Sequence, residues 1–323
     1  MILVSIIAYK ERDLAGTVRD CWDKAIDKDN IYFSIVEESQ EFSDLSFIPV
    51  TQITHQKYDT SEYRGILWAR KKTTEIDVNY DYVLYICGHT RFLAGWDETC
   101  LSKYDLITRD IQDQRVIITN HGPVYEINED FSINTDPGYG FGHNTSYFPS
   151  WDITKDHNIP FAPGYWFPKP ELVPKTPYTE HYWLCFTWLF SSRQYVEEVP
   201  LDPAISWNVE EPYSSIISSI RGYRFFAIPD IIYYHHTVRK YPDKDLADNS
   251  TSRPWVDDKK QKYREHADES LKRLNLLLSG NYQDISIDQI LDFCRKSKLN
   301  PMWTKFDENY HLLDGYQNIQ IGK

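Results

Sequence analysis

Cysteine is scarce in this chain of 323 residues, and its five copies, Cys21, Cys87, Cys100, Cys185 and Cys294, are odd in number and widely spaced. That pattern excludes a disulfide framework and points to a reducing compartment. Net positive charge is lacking too: the chain carries -13 at pH 7, with a pI near 5.2. An acidic surface favours solubility but offers no general landing pad for phosphates. A nucleic-acid partner would need local basic patches, of which "ARKK" and "KKQKYR" are the densest, and each patch alone reads first as a solvated helix face. Long apolar runs are missing as well. The opening "MILVSIIAYKERD" is apolar but short, lacks a basic leader and continues into charge. It reads as a first sheet strand, not a signal peptide or a membrane span, so the expected location is the cytoplasm. No repeat, low-complexity tract or Ser/Gly-rich linker divides the chain.

What is present is an alternation of strand and helix patterns through the first half, which predicts a parallel or mixed sheet covered by helices. Residues 3–8 form an apolar run suited to a central strand, followed by a helix with Leu14, Val18, Trp22, Ala25 and Ile26 on one face. Residues 31–36 predict a second strand, parallel to the first through a right-handed crossover. A helix is expected over 59–76, opened by Asp59 and Glu62 at the spacing of a cap pair. Strands follow at 82–86 and 116–119, with a short helix at 96–102 between them. Residues 120–180 are rich in Pro, Gly, Tyr and Trp and read as a long loop, the kind that forms lids or binding surfaces. The Gly138, Gly140, Gly142 series within it has no preceding strand or following helix and is no dinucleotide fingerprint. Strands are expected at 182–190 and 224–234. The C-terminal part predicts helices, with Gly280 as a stop and Ser286 with Gln289 as a cap. The last helix should bury Ile287, Ile290, Leu291 and Cys294.

Ligands of open α/β sheets bind at the carboxyl ends of strands. Three such ends here carry reactive groups: Tyr9-Lys10-Glu11-Arg12, Cys87-Gly88-His89, and His235-His236 followed by Arg239. Gly88 permits close backbone approach, and two neutral imidazoles from separate strand ends can share one metal. A lone strand-end histidine is more often a hydrogen-bonded structural residue, and a lone cysteine a small core residue. Arg64 and Arg70 lie six residues apart, where guanidiniums on one helix reach for a pyrophosphate. Glu210 and Glu211 open a predicted helix, where carboxylates often serve only the helix dipole.

Five segments in order, "SIIAYKERDLAGTVRDCWDKA", "YRGILWAR", "DYVLYICGHTRFLAGWD", "VPLDPAISWNVEEPYSSIISSIRGYRFFAIPD" and "YYHHTVRKY", carry a resemblance to a known family. The chain is similar to the GT-A glycosyltransferases related to hydroxyproline-directed polypeptide N-acetylglucosaminyltransferases, themselves distantly similar to mucin-type N-acetylgalactosaminyltransferases. The resemblance implies a Rossmann-like GT-A fold: a mixed, mostly parallel sheet flanked by helices over residues 1–255, with an aromatic insert around 120–180 and a C-terminal helical region over 256–323. It implies a UDP-sugar donor and a retaining transfer to a hydroxyl. Tyr9 and Arg12 would lie beside uracil and ribose, and Arg70 would help position the nucleotide and diphosphate; Arg64 is a donor-binding candidate from its spacing to Arg70. His89 and His235 would hold a divalent cation, Mn²⁺ or Mg²⁺. Glu210 and Glu211 would sit near the acceptor hydroxyl and the sugar.

Two positions depart from the family's pattern. Cys87 stands where the resemblance expects an aspartate, and Val209 where it expects glycine. A hard cation prefers carboxylate oxygen, whereas a thiol is a soft ligand. Either the cation is held by His89, His235 and the diphosphate, or arginines such as Arg91 and Arg239 neutralise the leaving group, or the fold binds carbohydrate or nucleotide without catalysis. The first two together are the expected outcome. Phage-encoded transferases of this broad kind decorate 5-hydroxymethylcytosine in DNA, and that acceptor is expected ahead of a polypeptide or glycan hydroxyl. A metal-dependent hydrolase built on His89, His235 and His236 is a third reading.

Overall fold

The opening apolar run becomes β1 (Ile2–Tyr9), followed by α1 (Leu14–Lys24), β2 (Ile31–Glu38), β3 (Ile53–Tyr58), α2 (Ile66–Thr74), β4 (Tyr82–Cys87), β5 (Thr90–Phe92), α3 (Trp96–Ile111) and β6 (Val116–Thr119). Short strands β7 (Glu126–Ile127), β8 (Ile133–Asn134), β9 (Phe148–Asp152) and β10 (Ala162–Trp166) precede β11 (Thr179–His181), β12 (Trp188–Ser192), α4 (Arg193–Glu198) and α5 (Glu210–Ile220). The chain continues through β13 (Arg224–Ala227), β14 (Tyr233–His235), α6 (Lys260–Leu278) and α7 (Ile287–Ser297). This computed structural model describes residues 1–130, 132–135, 148–152, 162–166, 176–206, 209–236 and 260–297. The Gly138, Gly140, Gly142 series and Arg239 lie outside the described residues.

Eight strands form one sheet in the order β11-β13-β6-β12-β4-β1-β2-β3. β1 pairs in parallel with β2 and β4, β2 with β3, and β13 with β6, while β12 and β11 run antiparallel to their neighbours. The sheet is therefore mixed and mostly parallel, with helices on both faces. Along β4, Val83 and Tyr85 enter one apolar cluster and Leu84 and Ile86 the other. Period-two alternation with both faces buried is what a central strand of an α/β sheet requires. Leu271, Leu274, Leu277 and Leu278 of α6 and Ile290 and Phe293 of α7 share their cluster with α5 and β12, so these helices complete the sheet's own core. Among the described residues, no helix is long and apolar enough to cross a membrane.

The structure corrects several local expectations. Gly65, at φ +96°, breaks the helix expected over 59–76. Asp59 accepts from the Ser61 N–H and caps only a single 3₁₀ turn, and α2 begins at Ile66. Ile26 is exposed, because the chain turns extended at Ala25 after α1. Helix α3 runs well past the expected end, burying Trp96, Cys100, Tyr104 and Ile107 along one side. Residues 183–187 are not a strand: Leu184, Cys185 and Phe186 give their N–H groups to Ser215, Thr119 and Glu211 side chains instead of a ladder. The expected strand over 224–234 is two strands, β13 and β14. The aromatic segment includes an antiparallel β9–β10 ribbon. In α7, Ile290 and Cys294 are buried, but Ile287 and Leu291 are exposed.

Candidate functional site

Strands β1, β2, β3, β4, β6 and β13 all run the same way, so their carboxyl ends meet at one edge of the sheet, where α/β ligands bind. β1 ends in a sharp turn. Lys10 takes the left-handed conformation at φ +47°, costly for a residue with a side chain and common at functional turns. Its N–H donates to the Glu38 carbonyl at 2.8 Å, and the turn sends Glu11 across to the end of β4. There the buried Glu11 carboxylate accepts from His89 Nδ1 at 2.8 Å. Gly88 makes this possible: a Cβ at that position would lie 3.0 Å from Glu11 Cγ and 3.3 Å from Ala8 Cβ.

The third strand end arrives through a separate ribbon. β5 leaves the sheet after His89 and pairs antiparallel with β14, opposing Thr90 to His235. The His236 N–H donates to the His89 carbonyl at 3.1 Å, and the His89 and His235 rings stand 4.7 Å apart. Ligand atoms of Cys87, His89 and His235 all lie within 4.8 Å of one another, a group that could hold a metal ion. His236 is not part of it; its ring faces Tyr125 at 4.9 Å. His121, after β6, places its ring 5.4 Å from His235 and donates Nδ1–H to the Gly122 carbonyl at 2.9 Å. Burial pushes the His121 imidazole down to about 4, so it is neutral at pH 7. Sequence reasoning named Glu11 only as part of the β1 strand end, with no role, and missed His121. The only clue to Glu11 was its place one turn past a strand end, beside a glycine in another.

Arg91 is committed elsewhere. Its Nη2 bonds Asp13 at 2.5 Å, and the Tyr125 hydroxyl donates to the same carboxylate at 2.7 Å. The guanidinium thus neutralises a buried Asp13, which leaves the expected role of Arg91 at a leaving group without support.

A second charged group lies along the same edge. The antiparallel register of β12 on β4, Trp188 opposite Ile86, brings residues 185–187 beside the end of β4. The Phe186 peptide is gripped from two sides: Arg70 Nη2 donates to its carbonyl at 2.9 Å, and Glu211 Oε1 accepts its N–H at 2.8 Å. Arg70 is fully buried, with its guanidinium 4.5 Å from the Phe186 ring centre. Arg70 Nε and Nη1 and Glu210 Oε2 are enclosed without a hydrogen-bond partner among the described residues. Burial, reinforced by the neighbouring Glu211, pushes the Glu210 carboxyl up to about 8; burial raises Glu211 also. Val209, at the expected glycine, is the buried residue from which α5 starts.

The remaining donor candidates have other surroundings. Arg64 lies over the Tyr58 and Trp68 rings at 5.3 and 4.8 Å, so it and Arg70 serve different surroundings. Tyr9 packs edge-on against Tyr63 at 5.5 Å, and Arg12 is exposed at the rim. The basic patch at 70–72 dissolves: Arg70 is buried, and Lys71 and Lys72 pair with Glu75. For a cation, the cluster offers one sulfur and two imidazole nitrogens. That set does not fit Mg²⁺, which demands an oxygen shell, and fits a borderline divalent cation.

A family model described as "Glycosyltransferase (GlcNAc)" matches residues 43–310. Among solved structures, GalNAc-T7 with UDP, GalNAc and Mn²⁺ matches at a TM-score of 0.54 and 14% identity, over 92% of this chain and 55% of that chain. The chain thus spans little more than half of GalNAc-T7, and the likeness is one of fold, the GT-A type. S. aureus TarS 1-349 with UDP-GlcNAc matches at a TM-score of 0.49 and 10% identity, over 94% of this chain and 73% of that chain. No curated protein sequence matches.

Proposed function

The chain belongs to the GlcNAc glycosyltransferase family, and from that premise we propose that it transfers a sugar from a UDP-sugar to an acceptor hydroxyl. The observation that carries the reading is the meeting of three strand ends: Glu11, Cys87-Gly88-His89 and His235 form one buried cluster where an α/β sheet binds ligands. The crystal structure of GalNAc-T7, with UDP, GalNAc and Mn²⁺, supports the donor class and a divalent cation. Tyr9, Arg12 and Arg64 are the proposed donor-binding side chains on the β1 and β3 side of this edge.

Departure of a nucleoside diphosphate builds negative charge on its terminal phosphate, and preorganised positive charge lowers that barrier. His89, His235 and Cys87 would hold a divalent cation, which when bound would supply such charge. Glu11 holds the His89 ring in one orientation and in the tautomer with its lone pair on Nε2. Arg70 and Glu211 fix the Phe186 peptide beside this cluster. Glu210, carrying its proton at neutral pH, presents a carboxyl whose Oε2 is without a partner among the described residues. Its proposed role is to donate to a sugar or acceptor hydroxyl. No strong external base is then required, in keeping with the retaining outcome that the family resemblance implies.

For the acceptor, 5-hydroxymethylcytosine in DNA stays as the first proposal; the aromatic residues over 138–190 suit stacking on a flipped base and on sugar rings alike. Loss of the 70–72 patch to burial and ion pairs favours the second, a polypeptide or glycan hydroxyl. Mass spectrometry of hydroxymethylated DNA and of hydroxyproline, serine and threonine peptides, each incubated with a panel of UDP-hexoses and UDP-pentoses, tests the reading. A sugar adduct is expected on one acceptor class. Neither adduct nor UDP-sugar hydrolysis under any condition would overturn the proposal in favour of a carbohydrate- or nucleotide-binding protein.

A further inference from the structure

We propose that Cys87, His89 and His235 select a thiophilic divalent cation of the zinc class, with Glu11 as the carboxylate that positions His89 from outside the ligand shell. The place of the site rests on the functional reading above; the choice of cation rests on the donors themselves. The three ligand atoms lie within 4.8 Å of one another. A tetrahedral zinc with bonds of about 2.0–2.3 Å holds its ligands roughly 3.5 Å apart, so modest side-chain rotation closes the shell. One sulfur and two imidazoles form a set that suits zinc, cobalt or iron(II) and suits magnesium poorly.

Charge supports the same choice. On binding, the Cys87 thiol releases its proton to solvent and the thiolate sulfur forms the bond to the metal. The thiolate then carries one negative charge, as a carboxylate at that position would, while changing the metal it favours. Three protein ligands leave one position open, the arrangement of zinc sites that accept a substrate oxygen and not of closed structural sites. A diphosphate oxygen is the ligand of matching charge for that position.

Glu11 completes the arrangement. Metal-bound histidines commonly donate their second ring N–H to a carboxylate, which fixes tautomer and ring orientation. His89 Nδ1 already makes that bond at 2.8 Å, between two side chains that are both almost wholly buried. The left-handed Lys10 turn and the missing Cβ at Gly88, where one would sit 3.0 Å from Glu11 Cγ, give Glu11 its room. Two backbone features are thus arranged around one carboxylate–imidazole bond.

The full chain, stripped of metal by chelation, is titrated with Co²⁺ and followed by absorption, with Zn²⁺ and Mn²⁺ affinities then read by competition. A thiolate-to-cobalt charge-transfer band in the near ultraviolet is expected, lost in Cys87→Ser and displaced by Zn²⁺. In Cys87→Asp the Zn²⁺-to-Mn²⁺ affinity ratio should fall by at least about tenfold, because oxygen ligands favour the harder ion. Glu11→Gln should weaken Zn²⁺ binding by about 10–100-fold, the usual scale of such a carboxylate partner, with the thermal melting curve unchanged. Cobalt bound without the band, or an unchanged ratio in Cys87→Asp, overturns the proposal. UDP-sugar hydrolysis, assayed on the same samples, separates the two readings: the cobalt band without turnover sinks the transferase and keeps the metal site, and turnover without the band does the reverse.

Discussion

Two buried carboxyls at the same sheet edge have opposite circumstances. Glu11 is drawn out of solvent by the Lys10 turn and meets an imidazole N–H, so its charge has a partner inside the protein. Glu210 is buried at the start of α5 beside a second carboxylate, and one of its oxygens has no partner among the described residues. Its environment resolves the conflict by protonation, with the carboxyl pushed up to about 8. A carboxylate paired with an imidazole N–H orients that ring, whereas one buried beside a second carboxyl is kept neutral and can donate a hydrogen bond. One edge of one sheet thus holds both a paired carboxylate, Glu11, and a neutral acid, Glu210.

Removing the cation beside the acidic pair should cost the most. Arg70→Met removes the cation whose field lowers both Glu210 and Glu211, together with the bond to the Phe186 carbonyl. Urea unfolding should show a loss of about 3 kcal/mol, as when one partner of a buried charge set is removed; a loss below about 1 kcal/mol would show that Arg70 is not coupled to the pair. The Glu11 half of the comparison breaks with His89→Ala, for which transfer or UDP-sugar hydrolysis should drop by about 100-fold or more, the scale of one preorganised electrostatic group. Full activity in that variant would remove the cluster from the chemistry.

Acidity sharpens the contrast. The native state holds a proton on Glu210 up to about pH 8, whereas the unfolded chain releases it near the ordinary value of 4.5. The native state therefore binds more protons between those limits, so this stabilising contribution is full below about pH 4.5 and declines as pH rises toward 8. Glu211, raised by burial, acts in the same direction. Denaturant midpoints from pH 5 to 8 should fall in the wild type and fall less steeply in Glu210→Gln; equal slopes would contradict a proton held on Glu210. The smallest effect lies outside both groups. Ser286→Ala, which removes the cap of α7, should cost about 1 kcal/mol and leave the activity unchanged.

That cap was legible in the sequence, because Ser286 and Gln289 satisfy each other within four residues. Gly280 was legible for a similar reason: at φ +69°, a Cβ there would lie 2.5 Å from the Ile287 nitrogen. The central strands showed through their apolar runs, and the three reactive strand ends through the rule that ligands gather at carboxyl termini. Edge strand β3 was missed because "ITHQKY" is only half-buried and carries little apolar signal. The strand expected over 182–190 held only from Trp188 on, because the N–H groups of Leu184, Cys185 and Phe186 bond to Ser215, Thr119 and Glu211 side chains, two of them far along the chain. Arg70 looked like a surface cation for the same reason: only the folded sheet places Phe186 and the Glu210–Glu211 pair around it. The pairing of Glu11 with His89 joins residues 78 apart and depends on a left-handed turn that no local pattern reveals.

On the proposed function, the meeting of His89 and His235 at the sheet edge makes a donor site for a nucleotide sugar. Isothermal titration of UDP-sugars into the wild type and His235→Ala, with and without divalent cation, tests it most directly. Binding that strengthens with cation in the wild type, and loses that cation dependence in His235→Ala, is the predicted result. Identical UDP-sugar binding by both proteins, with or without cation, would contradict the account.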